Sequence, residues 1–336
     1  MWFIDIIYFM KVFNANFDII KIILCLMVVG IHTLGYPWLF PTVRIAVPLF
    51  FVISSYFLFS KLKNVDKIRQ NKVLAGYILR NLYLYVFWFI ALFPITAKVR
   101  SYWKLSLLGI IKTIIKHSLL GSTFIVSWFI SATIVATLMV YLCARIFTDK
   151  SIMLFGLFLN SFCVLFSSYR PFLPQIEHII ECYYRILLNP CFSFPVAIYW
   201  IILGKIFAEG HRLSKKQSII GTLISLILLI IEWRIVYWAT GKFDNDCYFM
   251  LMPLGYFLFA WILRLKPIYS NKLSQFRKIT VIVYAFHASA AWVIRRYLSW
   301  SGYRLFFTTI VICAIIGIGM LQAEKYKFFS WLKYSH

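Results

Sequence analysis

Ten apolar runs, each long enough to cross a bilayer, follow one another along the 336 residues with short polar loops between them. A crossing of the hydrocarbon layer takes roughly 17–25 apolar helical residues. The runs lie near 17–36, 43–60, 74–95, 123–145, 151–167, 191–208, 218–238, 248–264, 279–297 and 304–322. The chain is 62% hydrophobic and 14% charged, whereas soluble domains average roughly 45–50% and about 25%. So apolar a chain has too little polar surface to cover itself, and lipid must be the solvent for much of it. In lipid each backbone N–H and C=O has to be satisfied within the fold, which makes runs of this length helices. The expected fold is all-α: a polytopic integral membrane protein of about ten transmembrane helices, residues 1–336 forming one domain with no soluble domain. No inverted sequence repeat of the kind found in many transporters is visible.

Loop charges set the expected orientation. Lys61, Lys63, Lys67, Arg69 and Lys72 follow the second run, Arg212, Lys215 and Lys216 the sixth, and Arg264, Lys266, Lys272, Arg277 and Lys278 the eighth. These loops share one side in a ten-span count, so that side is cytoplasmic and both termini are cytoplasmic. Glu177, Glu181, Asp244 and Asp246 fall on the other side. Lys98, Arg100, Lys104, Lys112 and Lys116 also fall there, against the bias, and the stretch 104–120 reads as an amphipathic helix in the outer interface. Were it a span, every later helix would invert.

The net charge of +24 comes from 35 Lys and Arg against 11 Asp and Glu. The cations sit in short loops without the aromatic interleaving of a nucleic-acid surface, so they indicate membrane lipid and no nucleic acid. Cys25, Cys143, Cys163 and Cys313 lie inside apolar runs, and no C-x-x-C pair exists to suggest a structural metal. Cys182, Cys191 and Cys247 lie in or near outer loops, and the sequence leaves a disulfide among them open. Met1 to Phe9 are apolar but too short to span and lack a signal-peptide cleavage site. Residues 1–16 therefore read as an interfacial extension, and Met10-Lys11 is an equally good start.

Ionisable residues within spans are costly and mark candidate sites. The first span holds Asp18, Lys21 and His32. Lys21 and His32 are eleven positions apart, about 16 Å of rise and about three full turns, so they share a face. A basic group at the cytoplasmic edge and an imidazole deeper in suit a long anionic ligand. Against that, a lysine at a helix end commonly snorkels, and a histidine between helices commonly packs by hydrogen bonding. Arg80, a turn or two into the third span, is suited to snorkel or to grip a phosphate. His287, preceded by Tyr284, sits near the middle of the ninth span. Lys205, Glu232, Arg234, Arg295 and Arg296 lie near span ends and read as interface anchors. There is no G-x-x-x-x-G-K-[ST] loop, G-x-S-x-G elbow or H-E-x-x-H pair.

The run NFDIIKIILCLMVVGIH resembles the opening helix of the acyltransferase 3 family, in which Asp precedes a basic residue by three and His follows it after ten more residues. Asp18, Lys21 and His32 fit that pattern, with Lys where Arg is more usual. VPLFFVISSYFLFSK resembles the family's next helix, with Ser55 and Tyr56 in place of Gly and Phe. YILRNLYLYVFW is similar to its R-x-x-R segment, with Arg80 at the second Arg and Tyr77 at the first. Trp128-Phe129, YWIILGK and the Y-x-x-H of Tyr284 to His287 resemble later elements in the same order. The resemblance implies a bacterial inner-membrane O-acyltransferase that moves an acetyl group from cytoplasmic acetyl-CoA to an exported or surface carbohydrate. On that basis Lys21 and Arg80 would hold the donor, His32 would do the chemistry, and no metal would be required. A transporter or flippase for a lipid-linked sugar or an anion is the alternative. The acceptor, an acyl group larger than acetyl, and the oligomeric state stay open.

Overall fold

The computed structural model describes residues 15–242, 245–268 and 274–336, which are helical with no strand among them. The expectations for residues 1–14, Asp244 and Lys272 lie outside the described residues. The main helices are α1 (Asn16–Thr33), α2 (Ala46–Lys63), α3 (Lys67–Val99) and α4 (Leu107–Leu120), followed by α5 (Trp128–Cys143) and α6 (Asp149–Phe166). Next come α7 (Glu177–Leu187), α8 (Phe194–Ala208), α9 (Lys215–Thr240), α10 (Leu251–Ile262), α11 (Ser274–Leu298) and α12 (Gly302–Ala323). Several starts are encoded locally by a side chain that accepts from a free first-turn N–H. Asp66 accepts from Arg69, Ser106 from Gly109 and Thr148 from Ser151, and Ser214 with Gln217 forms a reciprocal capping box.

Each of the ten apolar runs falls on a helix. By length and composition, seven helical stretches among the described residues are fit to cross a membrane. They are α1, Phe40–Lys63 with α2, α3, α6, Pro174–Ala208 with α8, α9 and α12. Apolar α5 and α10 are shorter, at 16 and 12 residues. In α11 the pairs Arg277, Lys278 and Arg295, Arg296 dilute an otherwise apolar stretch.

Two helices correspond to no apolar run. Helix α4, at 14 residues or about 21 Å, is too short to span and buries none of its side chains. It exposes Leu107, Leu108, Ile111, Ile115 and Leu119, as expected of an interfacial helix. Helix α7 lies in what the sequence suggested was an acidic loop. Its Glu177 and Glu181 pair with Arg170, and Lys116 on α4 donates to its Arg185 carbonyl at 2.5 Å.

Helix α8 is the centre of packing, with Pro195 through Gly204 buried without interruption. A helix apolar on every side belongs inside a bundle, and here α2 and α6 flank it through close backbone approach. A Cβ on Gly204 would collide with Ser55 Oγ and stand 2.6 Å from the Val52 carbonyl oxygen of α2. One on Gly156 would stand 2.9 Å from Tyr199 Cα. Ser55, wholly buried, donates to the Phe51 carbonyl at 2.9 Å and so leaves no open hydrogen bond at this contact.

Buried charge ties other helices together. Asp18, 3% exposed, accepts from Arg277 Nε and Nη2 of α11 at 2.9 and 3.1 Å, a two-point carboxylate–guanidinium pair. Glu232 is a correction to the interface-anchor reading. It is buried, accepts the Tyr169 hydroxyl at 2.9 Å, and caps the approach to α10 by accepting from Phe249 and Met250 N–H at 2.7 and 2.8 Å. Lys205 likewise pairs with Asp149 at 2.6 Å rather than reaching for an interface. Cys191 and Cys247 are joined in a disulfide, while Cys182 on α7 is free and exposed.

Gly204→Ala should cost about 1–3 kcal/mol or more by forcing α2 from α8. Gly76→Ala, where a Cβ meets nothing within 4 Å, should be neutral or gain up to about 1 kcal/mol. Thermal melting in lipid nanodiscs separates them. In the same assay Asp18→Asn should lose on the order of 2–4 kcal/mol, because a half-buried guanidinium is left without its carboxylate.

Candidate functional site

Helix α1 carries polar residues at both ends, and the two ends differ in surroundings. At the Lys21 end, Asp18, Arg277 and Arg80 are the charged neighbours of Lys21, whose ammonium lies 5.3 Å from the centre of the Phe57 ring. Asp18 is committed to Arg277, so the local balance is cationic. Arg80, on α3, has an exposed side chain. One turn earlier, the Tyr77 hydroxyl is 2.7 Å from Ser54 Oγ on α2. Where the family pattern has its first Arg, this chain has a neutral hydrogen bond between two helices.

At the other end, His32 lines a cavity of about 740 Å³, within the range of roughly 300–1,000 Å³ usual for ligand sites. His32 stands in the last turn of α1, where backbone carbonyls lack partners within the helix. Arg295 Nη2 donates to the His32 carbonyl at 2.9 Å, which makes this arginine a clamp on the end of α1 rather than an interface anchor. The His32 ring lies 5.1 Å, centre to centre, from the ring of His287 on α11.

His287 is wholly buried, and its Nδ1 lies 2.7 Å from the Tyr284 carbonyl and 3.1 Å from that of Val283. Two acceptors at Nδ1 place the proton there and leave Nε2 as a bare lone pair. That Nε2 is buried and accepts from no protein group. The His32 ring is its aromatic neighbour from α1, with no hydrogen bond between the two rings. Tyr284 also lines the cavity, but its hydroxyl donates to the Val126 carbonyl at 3.2 Å. It is a wall and not a reacting group. Phe129 packs on it at 5.3 Å, and Trp128 lines the cavity beside it.

The remaining wall is largely apolar and carries a few polar groups. Arg44 pairs with Asp246 at 3.1 Å. Arg100 Nη2 donates to the Ser122 carbonyl. His117 has a buried Nδ1 with no hydrogen-bond partner. Burial, then the charges of Arg100 and Lys116, lower its pKa to about 4, so the ring is neutral at neutral pH. Cys191 and Cys247 bring Asn189 and Asp246, from two distant loops, to the same rim.

The structure thus brings His32, His287 and Tyr284 together, and separately Asp18, Lys21 and Arg80. Sequence reasoning singled out neither Arg44 nor His117. Their signal was available: both are basic or titratable groups on the side of the chain where the loop count leaves few cations needed.

Comparison with known proteins gives these two clusters a setting. Residues 14–322 match the family model described as an acyltransferase domain, Acyl_transf_3. An amino-acid racemase of Enterococcus faecalis is 24% identical over 337 residues, covering 92% of this chain and 46% of that protein. A serine/alanine racemase of Enterococcus gallinarum is 24% identical over 275 residues, covering 76% and 38%. The chain therefore spans less than half the length of these curated relatives. No solved structure matches it. With apolar helices fit to cross a bilayer and a family match over nearly its whole length, the chain is a multi-pass membrane protein that belongs to the acyltransferase 3 family.

Proposed function

We propose that the protein transfers an acetyl group from cytoplasmic acetyl-CoA to a hydroxyl of an exported or cell-surface carbohydrate in a bacterial inner membrane. The observation that carries this reading is the pairing on one helix of a cationic cluster at Lys21 with a cavity-facing imidazole at His32. The two are about 16 Å apart along the axis, close to the reach of a pantetheine arm, about 15–20 Å. Lys21 and Arg80 hold CoA phosphates through charge-assisted hydrogen bonds, and Asp18 acts through Arg277 to keep that cluster in place. The arm carries the thioester towards His32.

His32 then removes the proton from an acceptor hydroxyl, and a small turn of its ring lets its other nitrogen donate to the unpartnered His287 Nε2. The acceptor oxygen attacks the thioester carbonyl, the carbon–sulfur bond breaks, and the proton passes from His32 to the departing CoA thiolate. The products are the O-acetyl ester and free CoA. In this reading about ten helices span the membrane with both termini cytoplasmic. The disulfide between Cys191 and Cys247 supports the cavity's facing an oxidising exterior compartment. The competing reading, transport of an anion or lipid-linked sugar, uses the two ends of α1 as stations on one path and breaks no thioester.

Release of CoA from acetyl-CoA by protein in nanodiscs separates the readings. His32→Ala should lower it by about 10²–10⁴-fold. His287→Ala should lower turnover by about 10-fold or more with less effect on the KM for acetyl-CoA. Lys21→Ala should raise that KM. Folded protein that neither binds acetyl-CoA nor releases CoA with any acceptor would overturn the enzyme reading. Orientation is tested in intact cells. A membrane-impermeant maleimide should label Cys182, while a Lys215→Cys variant should react at its new thiol only after lysis. The reverse pattern would invert the topology.

A further inference from the structure

The cavity at His32 has walls whose charges do not balance. Arg44 and Asp246 neutralise each other at 3.1 Å. Arg100, also on the wall, gives one nitrogen to the Ser122 backbone carbonyl and is paired with no carboxylate among the described residues. A guanidinium carries five N–H donors, and a backbone carbonyl satisfies few of them and none of the charge. Beside it, His117 keeps a buried Nδ1 without a partner. A second unanswered hydrogen-bonding atom next to an unneutralised cation, in a space large enough for sugar rings, calls for a ligand of opposite charge.

Resting on the acyltransferase reading, we propose that the acceptor is an anionic carbohydrate whose oxyanion, a uronate carboxylate or a phosphate ester, is held by Arg100 with His117 beside it. The arginine supplies the charge and a two-point fork matched to carboxylate or phosphate oxygens. His117 supplies a hydrogen-bonding nitrogen to the oxyanion or a neighbouring hydroxyl. Arg100 and His32 line the same cavity, so an anchored acidic group presents a hydroxyl of its own or an adjoining sugar to the imidazole. The wall with Arg44 already matched to Asp246 adds shape and a neutral polar surface.

Acetyl transfer in nanodiscs of zwitterionic lipid, with matched neutral, uronate-bearing and phosphorylated oligosaccharides, tests this directly. The acidic acceptors should have KM values at least about 10-fold below the neutral one. Arg100→Gln should raise KM for the acidic acceptors by about 10- to 100-fold, with little change for the neutral one. Arg100→Lys, which keeps the charge and loses the fork, should fall between. Lys112→Gln, which removes an exposed cation from α4 outside the cavity, should leave all KM values unchanged. Binding of the uronate oligosaccharide by calorimetry, without acetyl-CoA, should weaken in parallel in Arg100→Gln. Transfer that favours the neutral acceptor, or an Arg100→Gln effect equal on all acceptors in protein with wild-type melting, would overturn the proposal and leave the acyltransferase reading standing. Absence of thioester cleavage with every acceptor would instead remove the reading beneath it. A preference for acidic acceptors seen only in anionic lipid would assign the subsite to a lipid headgroup and also overturn the proposal.

Discussion

Hydrocarbon offers a charged or hydrogen-bonding side chain nothing to bind, and most buried polar groups in this bundle have been given a partner from another helix. Asp18 of α1 is held by Arg277 of α11. Glu232 of α9 takes up the two N–H groups that open α10. Lys205 of α8 meets Asp149 of α6. These contacts fix which helices are neighbours, since each would be costly to leave unmade. Against that background the few polar atoms without a protein partner stand out, and two of them lie at or beside one cavity: His117 on its wall, and His287 behind the ring of His32.

The two ends of α1 differ in how their polar groups are set. Around Lys21 the helices supply surplus positive charge beside a surface-exposed Arg80. Around His32 the charges are set in the walls of a cavity, and each of Arg44 and Arg100 already has a partner in the wall. One helix serves both because its polar residues recur on one face, and the apolar residues between them pack on α2 and α11.

The helices themselves were legible in the sequence because a span leaves a long apolar run, and ten such runs fall on ten helices. Lys21 and His32 were legible because their eleven-residue spacing maps directly onto one face. Glu232 was misread: its position near a run's end resembles an anchor, and only the packing of α9 on α10 reveals a cap. Helix α7 was hidden because an amphipathic eleven-residue segment with two glutamates has the composition of a loop. His117 reaches the site from a segment distant from α1 in sequence, and Arg44 from the turn just after it, but neither shares a helical spacing with His32. Gly204 appeared only as a glycine inside a span, and its role required knowing that α2 lies against it.

The rigidity of α1 has a consequence for how this site tolerates change. An α-helix has no slack, since its rise and rotation per residue are fixed by hydrogen bonds that lipid makes expensive to break. With Asp18 pinned to Arg277 at one end and the His32 carbonyl clamped by Arg295 at the other, the register between cationic cluster and imidazole is locked twice. A single residue inserted between Lys21 and His32 would swing the imidazole about 100° around the axis, away from His287 and out of the cavity. The side chains between the two sites can change wherever packing permits, but the number of residues between them cannot change without turning one site away from the other.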